Sequence, residues 1–194
     1  MRRSHATLGL FLALCALAPT ARRANAQFVD PAATRPGRDP KQPIDSVYTA
    51  KIHEYTTEKF FLSPLVDYLP AKAGVPTPTA ELGDIAGAPG KLPYSKEVYD
   101  YMRMLAKAMP NRVKVYSIGT TEEGREHIAV AIASDALMAK LDANKANLAK
   151  LADPRLINMD DKQAQSIVPN TFPVYYITGT IHSTEAGAPT ALME

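Results

Sequence analysis

His182 and Glu185, in the run His182-Ser183-Thr184-Glu185, have the types and spacing that suit chemistry. A neutral imidazole and a carboxylate are two of the three protein ligands that a catalytic zinc uses, with a fourth position left to water or substrate. The pair follows an apolar run, 172–181, and precedes small residues leading into Ala191-Leu192-Met193. That order predicts a strand that ends in a polar turn and then opens a helix. Both side chains then sit at the C-terminal edge of a sheet, where open α/β folds bind ligands. A tight turn brings residues three apart together, so a His that closes a strand and a Glu that opens a helix can meet. The metalloprotease spacing His-Glu-x-x-His works differently, with two His on one helical face. Spacing alone leaves a second reading open, in which His182 caps the strand and Glu185 complements the positive end of the helix.

The elements that must position this pair begin near Tyr94. Eleven of the 16 prolines precede that residue, and the segment 27–46 lacks periodicity, which predicts a flexible leader or an extended segment. Apolar and aromatic residues return over 47–69 (Tyr48, Ile52, Tyr55, Phe60, Leu65, Tyr68) and predict a short helix or irregular piece that docks on the body. A loop-like stretch, 70–93, follows. Ser95 is the expected N-cap of a helix ending at Pro110, with Val98, Tyr101, Met102 and Leu105 on one face. Runs 113–118 and 128–133 read as a hairpin with a longer loop. Ser134 and Asp135 are expected to cap a second helix whose apolar face carries Leu137, Met138, Leu141, Leu148 and Leu151. Residues 159–169 read as a polar connection, and 173–178 as a third strand. The order indicates an α/β fold with a mixed β-sheet sandwiched by helices, of which only the first part of the sheet is present.

Charge and cysteine usage narrow the function classes. Residues 1–26 carry Arg2 and Arg3, an apolar stretch 8–18 and a small-x-small site, Ala24-Asn25-Ala26, which together predict a secretory signal. The apolar stretch is too short to span a bilayer, so no stable membrane anchor is expected. Without that segment 18 basic residues face 20 acidic ones, a net charge of about −2 with His neutral, against +2 for the whole chain. Nothing favours nucleic acid, which calls for a basic face. The single cysteine, Cys15, lies in the signal, which excludes thiol catalysis, cysteine-ligated metal and a disulfide in the mature chain. The other histidines, His5, His53 and His127, have no placement that suits a ligand. Glu122, Glu123, Arg125, Glu126 and Asp161 read as ordinary surface charge.

Ile181-His182-Ser183-x-Glu185 resembles the first zinc-binding motif of the metallocarboxypeptidases, the M14 peptidase family. Tyr116-Ser117-Ile118-Gly119, followed by Glu123-Gly124-Arg125-Glu126-His127-Ile128, is similar to the paired strands and Gly-Arg-x-x-Ile turn that precede that motif. Residues 55–60 and 63–70 resemble the lead-in of large exported bacterial members, so the resemblance runs from about residue 47 onward. One departure lies inside the motif: animal digestive members carry Arg where this chain has Thr184, a position that helps hold the substrate.

The resemblance implies a zinc carboxypeptidase-like fold, with a signal at 1–26, a Pro-rich leader and docking segment at 27–93, and the N-terminal part of the catalytic domain at 94–194. It implies Zn2+ held by His182 and Glu185, and a peptide or protein C-terminus as the substrate. It also implies a third ligand, a general base and an oxyanion Arg beyond residue 194, so that 1–194 alone is expected to be inactive and no catalytic residue is assigned within it. The place of action would be secreted or periplasmic. Two alternatives stand beside it. One is a zinc-dependent N-acyl amino acid deacylase of related fold, whose motif usually has Gly directly after the His, where this chain has Ser183. The other is a non-catalytic exported binding domain.

Overall fold

The computed structural model describes residues 41–194; the expected signal at 1–26 and leader residues 27–40 lie outside them. Helix α1, Ser46–Tyr55, starts where the Asp45 carboxylate accepts the Tyr48 N–H at 2.9 Å, an N-cap that satisfies one of the orphan donors of the first turn. Tyr48 and Ile52, one turn apart, face inward and form an apolar cluster with Leu69, Ile85 and Ala88. The chain ahead of the helix is tied to the 69–71 segment by Asp45 N–H to Leu69 O and Ala71 N–H to Pro43 O, both 2.9 Å. A short helix α2, Thr79–Leu82, ends at Gly83, whose φ of 72° is the left-handed cap that glycine tolerates without cost.

Helix α3, Ser95–Ala108, buries Val98, Tyr101 and Met102, with Leu105 half-buried on the same stripe, as the i, i+3, i+4, i+7 spacing requires. Its N-cap is Tyr94 rather than Ser95. Glu97 reaches back to accept the Tyr94 N–H at 2.7 Å, so the acidic residue at the third position fixes the start one residue earlier than the hydroxyl suggested. The helix lies on the hairpin of β1, Val113–Thr120, and β2, Glu126–Ile132. The strands pair antiparallel with Val115 opposite Val130 and Ser117 opposite Ile128. The register shifts between Ser117 and Gly119; Gly119 takes φ 141° there, a conformation costly for any residue with a Cβ. Val115, Ile128 and Val130 turn toward α3, while Tyr116 and Ile118 face outward.

The sequence predicts one helix after Ser134, and the structure contains two. Ser134 does accept the Leu137 N–H, at 3.3 Å, but α4, Asp135–Met138, stops after one turn and α5, Leu141–Ala152, begins anew. The leucines at 141, 148 and 151 are half-buried on one face of α5, and the buried residue in their midst is Asn144. The expected polar connection 159–169 contains a helix, α6, Asp161–Ile167. Asp160 accepts the Gln163 N–H at 2.8 Å while Gln163 accepts the Asp160 N–H at 3.0 Å, a reciprocal cap that starts a helix lacking an apolar face.

The third strand is the main correction. Residues 173–178 form no ladder, and Val174, Tyr175, Tyr176 and Ile177 are exposed. A run is a strand only when its N–H and C=O groups find a partner chain, and apolar composition does not supply one. The sheet among the described residues is therefore the two-stranded β1–β2 pair, an open sheet flanked by helices and so α/β in class. Helix α7, Gly187–Ala191, closes the described chain, with Met193 beyond it only 2% exposed against Ala86, Val98, Tyr101 and Met102.

Candidate functional site

Two anchors hold the segment that carries the His–Glu pair. At its start the buried Asn144 side chain clasps one residue twice, donating to Phe172 O at 3.0 Å and accepting the Phe172 N–H at 2.7 Å. At its end Gly179 lies close to the side chains of Leu192 and Pro189, and Met193 seats the helix end in the α3 core. Between these anchors residues 180–185 project to solvent.

Residues 182–185 form a tight turn closed by Glu185 N–H to His182 O at 3.0 Å, the geometry that brings residues three apart face to face. His182 Nδ1 and Glu185 Oε1 are 2.8 Å apart. The other carboxylate oxygen, Oε2, accepts from the N–H groups of Ile181 and His182 and lies near the Thr180 hydroxyl, each at 3.1 Å. The same hydroxyl donates to His182 O at 2.6 Å. Both side chains are accessible, His182 at 72% and Glu185 at 50%.

These contacts set the charge of the carboxylate. The His182 ring, then the His182 and Ile181 backbone N–H groups and the Thr180 hydroxyl, hold the Glu185 pKa down to about 2, because hydrogen bonds to the ionised form favour it. Glu185 is thus an anion under any ordinary condition, with Oε2 occupied and Oε1 facing the imidazole.

The structure brings His182 and Glu185 together, and it leaves the other polar residues elsewhere. His53 lies on α1 with Nε2 3.0 Å from Asp67 O, and His127 lies in β2. Glu123 pairs with Arg125 at 2.7 Å, Glu126 pairs with Arg103 of α3, and Asp161 sits exposed in the first turn of α6. Among the described residues no three His, Cys, Asp or Glu side chains gather as a metal cage. Thr180 is the contributor that residue type alone did not single out. The available signal is a hydroxyl residue just before a turn, where Ser and Thr bond the nearby backbone.

The described chain is thus an open α/β layer that carries a His–Glu turn leading into a helix. Residues 98–194 match the profile of the zinc carboxypeptidases, peptidase M14. The match takes in α3, the hairpin and the His–Glu turn, and the chain belongs to that family. No curated protein and no solved structure matches the chain.

Proposed function

We propose that the protein is a zinc-dependent metallocarboxypeptidase that hydrolyses the C-terminal bond of peptides or proteins, with His182 and Glu185 as two of its metal ligands. The observation that carries this reading is the convergence of Nδ1 and Oε1 at 2.8 Å on an exposed turn within the family-matched residues. The donor set fits the metal. Imidazole nitrogen and carboxylate oxygen are both zinc donors, and His182 Nδ1 and Glu185 Oε1 would hold the metal from two exposed side chains. The third ligand is proposed to come from outside residues 41–194.

When bound, zinc lowers the pKa of its water and polarises the scissile carbonyl. The chain's own residues prepare for this. A neutral imidazole that presents Nδ1 to a metal carries its proton on Nε2. Glu185 arrives already ionised, so no proton has to leave it when the metal enters. The turn holds both donors outward, and its backbone N–H groups face only Oε2. The N-terminal pattern of residues 1–26 supports export, so the proposed place of action is secreted or periplasmic.

The test is release of single residues from the C-terminus of a peptide by the full-length protein, assayed beside an acylated amino acid. The expected result is a preference for the peptide. In His182→Ala and Glu185→Ala the rate is expected to fall by about a thousandfold or more, roughly 4 kcal/mol of transition-state stabilisation. Preference for the acylated amino acid would move the assignment to a deacylase. Full activity in both variants would remove the metal role of the turn.

A further inference from the structure

Residues 76–92 lie ahead of the family-matched residues and run across the elements that seat the His–Glu turn. Ala86 packs in the same buried cluster as Val98, Tyr101 and Met102 of α3 and as Met193, which fixes the end of α7. The Tyr101 hydroxyl donates to Pro76 O at 3.1 Å, so α3 also grips the start of the run. Farther along, Ala86, Gly87 and Leu92 line one cavity with Ala186, Gly187 and Thr190. That cavity reaches the residue directly after Glu185. The run is held in its turn by α1. The Tyr48 hydroxyl oxygen accepts the Ala86 N–H at 2.8 Å, Tyr48 and Ile52 pack with Ile85 and Ala88, and Lys51 pairs with Asp84. One connected set of contacts thus leads from α1 through Ala86 and Met193 to the helix that opens behind the turn.

We propose that residues 43–92 are a built-in brace for the His–Glu turn, retained in the working protein and needed for tight zinc binding, rather than a leader that can be cut away. The inference rests on the metal reading of His182 and Glu185. The turn projects to solvent, so its aim depends on the anchors at either side of it. On the helix side that anchor is Met193, in a cluster to which the brace contributes Ala86. A helix of five residues, Gly187–Ala191, is too short to persist on its own hydrogen bonds, and α7 takes its place from that packing. Removing the brace opens one side of the seat of Met193 and leaves α7 less firmly placed. Support of this kind matters nearly as much as the ligands, and its loss typically costs about 10- to 100-fold in metal affinity.

The experiment uses the full-length protein with a sequence-specific protease site inserted between Leu92 and Pro93, where Leu92 is exposed. After the cut, the N-terminal piece is expected to stay with the remainder through size-exclusion chromatography, with zinc affinity unchanged by competition with a chromogenic chelator. Stripping the piece in moderate urea and returning the remainder to buffer is expected to weaken zinc binding by about 10- to 100-fold, and adding the piece back is expected to restore it. Zinc bound as tightly without the piece as with it overturns the inference and leaves the metal reading standing. Tyr48→Phe in the uncut chain keeps the test independent of whether the remainder folds alone, since it takes the partner from the Ala86 N–H and keeps the ring. The expected result is zinc affinity several-fold weaker with the native circular dichroism retained; zinc affinity equal to wild type overturns the inference. An uncut wild type that binds no zinc removes the metal reading, and the inference with it.

Discussion

At the scale of single residues, the turn at 182–185 is a local arrangement of charge and hydrogen bonds. Glu185 is exposed to water, yet its carboxylate is held at a pKa of about 2 by the His182 ring and by backbone N–H groups. A carboxyl group whose folded pKa is depressed stabilises the fold above its unfolded pKa, near the ordinary Glu value, and loses that contribution as pH falls through the folded one. The metal-free protein should therefore keep Glu185 ionised through the range where ordinary Glu side chains protonate. Carboxyl carbon shifts followed by NMR between pH 6 and about 2 should show Glu185 titrating last among the glutamates; a midpoint near the ordinary value would mean the turn is not closed in solution. The meeting of His182 and Glu185 was legible in the sequence because a tight turn brings residues three apart together, although the spacing alone also allowed a strand cap and a helix-end carboxylate. Thr180 was not, because its part depends on where a closed turn places Oε2.

At the scale of elements, what positions the turn is a pair of anchors rather than a ladder. Asn144 of α5 satisfies both backbone polar groups of Phe172 from a buried position, so its loss strands a donor and an acceptor on a half-buried residue. Asn144→Ala is expected to destabilise the protein by about 1–3 kcal/mol, read as a lower denaturant midpoint at unchanged slope; an unchanged midpoint would mean that the clasp does not form. The β1–β2 hairpin and the apolar face of α3 were readable because period-two and period-3.6 patterns report which face is buried. The break between α4 and α5 was not, since the leucines keep a helical spacing across it. Helix α6 escaped because it has little apolar face, although the pair Asp160 and Gln163 carries its cap in plain view. Residues 173–178 misled for the opposite reason: strong apolarity reports burial or a partner, and neither is present among the described residues.

At the scale of the whole molecule, the segment ahead of the family-matched residues shares their core. Tyr48 of α1 is 2% exposed and its hydroxyl oxygen accepts the Ala86 N–H at 2.8 Å, while Ala86 packs with Val98, Met102 and Met193. Tyr101 of α3 donates in return to Pro76 O at 3.1 Å. Burial, and to a lesser degree the Glu194 charge, pushes the Tyr101 hydroxyl up to about 12, and burial raises Tyr48 as well. A raised folded pKa means stability that is complete below the unfolded value and is lost as pH rises toward the folded one. Two pH units on Tyr101 correspond to roughly 2–3 kcal/mol, so denaturant midpoints should fall between about pH 10 and 12. Tyr101→Phe should flatten that fall, and an equally steep loss in the variant would place its origin elsewhere.

Elemental analysis of the purified full-length protein, beside His182→Ala and Glu185→Ala, decides whether the turn uniting His182 and Glu185 binds zinc. One zinc per chain is expected in the wild type, with its loss in both variants. A wild-type protein without zinc, or variants that retain it, would mean that the turn is not a zinc site.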